Sequence, residues 1–87
     1  MNKRRITKEE IFLKRLYELA KEAGDPEEEI DRYLVGEAFG GHTRNVDNIV
    51  QVLTKNNFIK RSEDSLVYLT PLGITFIEES FDPGKTH

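Results

Sequence analysis

Arg44, Asn48, Gln51 and Lys55 recur at helical spacing, and their side chains are of the kinds that read or hold a polyanion. On a helix turning 100° per residue they share one side, while Val46, Ile49, Val50 and Leu53 fall within about 100° of one another on the other. Arginine forks onto the two acceptors of guanine, and asparagine or glutamine pairs with the acceptor and donor of adenine, so this row suits base edges in a major groove. It has a cation at each end, two amides between them and no carboxylate in line; Asp47 sits on its flank. Thr43, Asn45, Lys55, Lys60 and Arg61 suit the complementary task of holding phosphates and setting register. The candidate DNA-binding residues are therefore Thr43, Arg44, Asn45, Asn48, Gln51, Lys55, Lys60 and Arg61.

These residues need a helix over 43–56 and a scaffold that turns its outer row to solvent. Thr43 is the expected N-cap. Asn56-Asn57 supplies a residue that tolerates the left-handed conformation, which ends the helix, and Phe58 follows to pack on its last turn. Phe58 to Glu63 and Leu66 to Thr70 are rich enough in β-branched and aromatic residues for two short strands, with Asp64-Ser65 as the turn. Thr70 is an N-cap with Pro71 at the first helical position, which predicts a closing helix to about Ser80 with Leu72, Phe76 and Ile77 on its apolar face.

Upstream, residues 1–5 are expected to form a flexible basic arm. Thr7 with Glu10 is a capping box, and Ile6 with Ile11 has the spacing of a hydrophobic staple. Phe12, Leu16, Leu19, Ala20 and Ala23 trace the stripe of a first helix, with Leu13 and Tyr17 on its margins and Gly24 as its end. Asp25-Pro26-Glu27-Glu28 repeats a start signal and predicts a second helix from Pro26 to about Ala38 that buries Ile30, Leu34 and Ala38. The acids Glu27, Glu28, Glu29 and Asp31 would lie near its positive end. Gly40-Gly41-His42 is the turn into the third helix. No GxGxxG or P-loop pattern surrounds those glycines, and His42 lacks the neighbours a metal site needs.

Two segments resemble a known family. Asn57-Phe58-Ile59-Lys60-Arg61 and Leu69-Thr70-Pro71-Leu72-Gly73 are similar to the helix exit and the Leu-Thr-x-x-Gly opening of the last helix in winged helix-turn-helix domains, as in MarR-like, PadR-like, small phage-type and YjcQ-like proteins. The likeness covers roughly residues 11–79. It implies an α+β fold with three helices, a two-stranded hairpin wing and a short C-terminal helix, and a role in DNA binding and transcription regulation. Asn57 stands where the family usually has Gly, and Glu63 and Asp64 at the tip of a short wing disfavour contact with a minor groove. The domain spans residues 6–80, with a flexible tail over 81–87. MarR-type dimers use long terminal helices, so a homodimer of this chain would need another surface.

The chain has 87 residues, 37% hydrophobic and 33% charged, which is the profile of one globular domain. It has no cysteine, which excludes disulfides and thiolate chemistry. No apolar run approaches the ~20 residues that span a membrane, and a cytoplasmic location is expected. The net charge of −3 conceals alternation. Residues 1–22 hold seven Lys and Arg against four Glu, and residues 42–61 hold four against one; residues 23–41 and 62–87 are acidic. A local field governs binding, so an acidic chain can still hold duplex DNA if both basic blocks share a side. Ser62, Ser65 and Ser80 have no plausible histidine and acid constellation nearby in sequence, and no nucleotide or metal motif is present, so neither catalysis nor a cofactor is expected. The alternative is a winged helix that binds protein rather than DNA, through Tyr17, Tyr33 or Phe81 if they are exposed.

Overall fold

The computed structural model describes residues 7–37, 40 and 42–81. Four helices and a three-stranded antiparallel sheet follow one another as α1 (Lys8–Glu22), β1 (Ile30–Asp31), α2 (Arg32–Gly36), α3 (Thr43–Lys55), β2 (Ile59–Arg61), β3 (Leu66–Leu69) and α4 (Pro71–Phe81). The expected arm, the Ile6 half of the staple, Ala38 and the tail beyond Phe81 lie outside the described residues. No described helix is long and apolar enough to cross a membrane.

Local signals set the ends of α1. Thr7 Oγ1 accepts from the Glu10 amide at 3.1 Å while the Glu10 carboxylate accepts from the Thr7 amide at 3.1 Å, which completes the capping box. At the other end Gly24 takes φ +126°, and the Asp25 and Gly24 amides donate to the Ala20 and Lys21 carbonyls. That is a Schellman closure, which only glycine enters here without strain. The buried stripe is Phe12, Leu13, Leu16 and Ala20; Leu13 is therefore central rather than marginal, and Ala23 is exposed.

The second helix departs most from expectation. Asp25 does cap a turn, with its Oδ1 accepting from the Glu27 amide at 2.7 Å, but no helix follows. Instead Ile30 and Asp31 pair with Val67 and Leu66, and the Arg32 amide extends the ladder to the Ser65 carbonyl at 3.0 Å. Asp31 then supplies the cap that is used, accepting from the Tyr33 amide at 2.9 Å. Cross-strand pairing of β-branched Ile30 thus overrides the helical propensity of the glutamates. The shortened helix buries Val35 and leaves Leu34 47% exposed, the reverse of the expected face. Gly36 allows α2 to approach α3, since a Cβ there would lie 2.5 Å from Val46 Cγ2.

The sheet runs β1-β3-β2, so the hairpin of β2 and β3 carries β1 on its far edge and is not a two-stranded unit. Its register pairs Ile59 with Leu69, Lys60 with Tyr68 and Arg61 with Val67. Asp64 enters the left-handed region at φ 53°, and the turn is closed by the Leu66 amide on the Glu63 carbonyl at 2.9 Å. Val67 and Leu69 alternate inward and join Phe12, Leu16, Val35, Val46, Val50, Leu53, Ile59 and Ile77 in one core. On α4, Phe76 and Ile77 face that core with Ile74, whereas Leu72, expected there, is 52% exposed.

Candidate functional site

α3 packs on α1, α2 and β2 through Val46, Ile49, Val50 and Leu53, all buried as their periodicity requires. The geometry of helical repetition then leaves Arg44, Asn48, Gln51 and Lys55 exposed along the outer face. At 1.5 Å per residue the row is about 16 Å long. Thr43 and Asn45 are exposed in the first turn. The cap of α3 is His42 rather than Thr43, because the His42 carbonyl already accepts from the Val46 amide at 3.0 Å; its side chain makes no capping bond. Thr43 is thus the first helical residue, and its side chain faces solvent.

Asn57 adopts φ 66° and ends α3 as its sequence suggests. The Phe58 amide donates to the Leu53 carbonyl at 3.0 Å and the Asn57 amide to the Thr54 carbonyl at 3.1 Å, a second Schellman closure. The Phe58 ring stacks at 5.2 Å on Phe76, and a Cβ on Gly73 would run into the Phe58 carbonyl oxygen. The Asn57-Phe58 and Leu69-to-Gly73 segments therefore do one structural job together, docking the start of α4 onto the exit of α3.

Lys60 and Arg61 are both exposed on β2. Successive strand residues point to opposite faces, so the two cations do not project side by side. Among the described residues, no carboxylate forms an ion pair with Arg44, Lys55, Lys60 or Arg61. The first basic block behaves differently. Lys14 and Arg15 both reach Glu18, at 3.8 and 3.2 Å, and Lys21 lies 5.3 Å from the Tyr17 ring centroid. Much of its described charge is engaged within α1.

A tie between elements flanks the row, and the periodicity of α3 contains no sign of it. Arg32 is the one cation in residues 23–41, amid six acids, and that isolation was the available signal. Its Nε donates to the Ser65 carbonyl at 3.3 Å and its NH1 to Asp47 Oδ1 at 3.4 Å, with its side chain only 12% exposed. Tyr33 donates its hydroxyl to the same Asp47 oxygen at 2.8 Å. Accepting that bond, Asp47 pushes the Tyr33 pKa above its ordinary value; slight desolvation and the Asp47 charge add to the push, and the Arg32 charge opposes it. Arg32 thus joins the hairpin turn to α3, and Tyr33 ties α2 to the same Asp47 carboxylate.

The residues suggested for protein docking separate. Tyr17 is half-buried, with its hydroxyl on Glu78 at 3.0 Å, Tyr33 is 38% exposed beside Leu34, and the Phe81 side chain lies outside the described residues. Among the described residues no group of three or more His, Asp or Glu converges as metal ligands would. Set against family models, curated proteins and solved structures, the chain matches none.

Proposed function

We propose that this chain is a winged helix-turn-helix DNA-binding protein, a small transcriptional regulator that lays α3 in the major groove. The observation that carries the reading is the exposed row from Arg44 to Lys55, whose cations have no carboxylate partner among the described residues while Lys14, Arg15 and Arg32 have theirs. The element order and the β1-β3-β2 sheet support the winged assignment, with the β2–β3 hairpin as wing. Arg44, Asn48 and Gln51 meet base edges; Thr43, Asn45, Lys55, Lys60 and Arg61 hold phosphates. Glu63 and Asp64 keep the wing tip out of the minor groove by repulsion. A cytoplasmic location fits this role, and the role needs no cofactor. One such module covers about 600 to 1,000 Å² of its own surface, so useful specificity calls for a homodimer or a protein partner.

Fluorescence anisotropy of the full chain with labelled duplex DNA tests the proposal. Binding that is strong at roughly 50 mM salt and falls steeply by about 200 mM is the expected result. An absent or salt-insensitive signal overturns it in favour of a protein-interaction module. Tyr33 and Leu34, adjacent on α2 and 38% and 47% exposed, are the observation favouring that second reading.

A further inference from the structure

We infer that Asp47 reads a base: its carboxylate, oriented by Tyr33 and Arg32, accepts a hydrogen bond from the exocyclic amine of cytosine in the major groove. The inference rests on the assignment of α3 as the groove-facing helix and extends it to a residue on the flank of the row. Asp47 follows Arg44 by three residues and precedes Asn48 and Gln51 by one and four, so it borders the row on the helix surface.

Its surroundings suit an acceptor held in place. The Tyr33 hydroxyl and the Arg32 guanidinium both donate to Oδ1, at 2.8 and 3.4 Å, and no described group donates to Oδ2. The side chain is 46% exposed, whereas that of Arg32 is 12% exposed and braced by the Ser65 carbonyl. One oxygen is therefore anchored from outside α3 and the other is open. An unanchored aspartate here would sweep a negative charge past the phosphates and weaken every complex. Arg32 offsets that charge, and the two anchors remove much of the rotational freedom that binding would otherwise have to freeze.

Base chemistry selects the ligand. Adenine presents its amine beside the N7 acceptor, which repels a carboxylate, whereas cytosine presents a donor alone. The neighbouring Arg44 forks onto guanine, so the pair reads guanine and cytosine on the same or adjacent base pairs. Asp47 is thus a specificity residue, and Tyr33 and Arg32 position it.

Selection of bound sequences from a random duplex library, with the wild-type chain, Asp47→Asn, Asp47→Ala and Tyr33→Phe, tests this. Wild type should select cytosine at one position. Both Asp47 variants should lose that preference by roughly tenfold or more while the other positions stay unchanged, and Asp47→Ala should bind unselected duplex more tightly. Tyr33→Phe keeps the carboxylate and frees it, so it should weaken preference at that same position alone. This variant also covers the case in which an Asp47 substitution fails to fold. Unchanged preference in variants that bind, or a loss spread evenly over all positions, overturns the inference and leaves the DNA-binding assignment standing. Failure of the wild-type chain to bind any duplex overturns both.

Discussion

The Thr70 hydroxyl lies 2.6 Å from the Asn57 carbonyl and donates to it, while accepting from the Gly73 amide at 3.1 Å. One side chain thus closes the exit of α3 and caps the start of α4. Thr70 is 7% exposed, so Thr70→Val, which keeps the shape and removes the oxygen, leaves a donor and an acceptor unmet in a nearly dry place. The expected cost is about 1 to 3 kcal/mol in urea unfolding, with Thr70→Ser recovering most of it. Equal stability of the valine variant and the wild type would refute the capping role.

The face of α2 separates two readings of the same segment. A helix from Pro26 would bury Leu34, whereas the observed five-residue helix buries Val35 completely. Val35→Ala should therefore cost about 2 kcal/mol from lost methyl burial and the residual cavity. Leu34→Ala should stay within about 0.5 kcal/mol, the usual range for a surface change. Thermal melts of the two variants decide; a larger loss at Leu34 would restore the longer helix.

Tyr33 gives a pH dependence of known sign. The folded chain holds the phenol proton more tightly than the unfolded chain, whose tyrosines titrate near the ordinary value of 10.0. The contribution of the Tyr33–Asp47 bond is therefore whole below that pH and is lost as pH rises through the higher folded value. Denaturation midpoints followed up the alkaline limb should fall less in Tyr33→Phe than in wild type. Phenolate absorbance should show a late-titrating component that shrinks in the variant.

On the proposed interface, Arg44 and Lys60 should fail differently. Arg44→Ala should cost about 1 to 3 kcal/mol on the preferred duplex and relax choice at one base pair. Lys60→Ala should weaken all duplexes alike and flatten the salt slope by about one unit. Titrations at several salt concentrations on preferred and scrambled duplexes resolve the two patterns. Equal losses from both variants on every sequence would remove the assigned roles.

Much of the fold is legible along the chain because the controlling contacts are local. The Thr7–Glu10 box, the glycine stop at Gly24, the left-handed Asn57, the Thr70-Pro71 start and the buried stripe of α3 each involve residues within a turn or two of one another. The exposure of Arg44, Asn48, Gln51 and Lys55 follows from the same periodicity: once Val46, Ile49, Val50 and Leu53 are inside, the opposite face has nowhere else to go.

Tertiary structure decided what depended on distant partners. The start signal read at Asp25 caps only a turn, and the structure starts α2 at a second cap, Asp31. Ile30 goes to the sheet because Val67 offers a cross-strand partner, and the helix then begins at the second cap with Val35 rather than Leu34 inside. The same long-range arrangement brings Arg32 and Tyr33 to Asp47 and Ser65, which no spacing in the sequence could announce. Periodicity reports which side of an element is apolar; only the packed chain determines which element forms and which polar groups meet, because those contacts gain their energy from residues far apart in sequence.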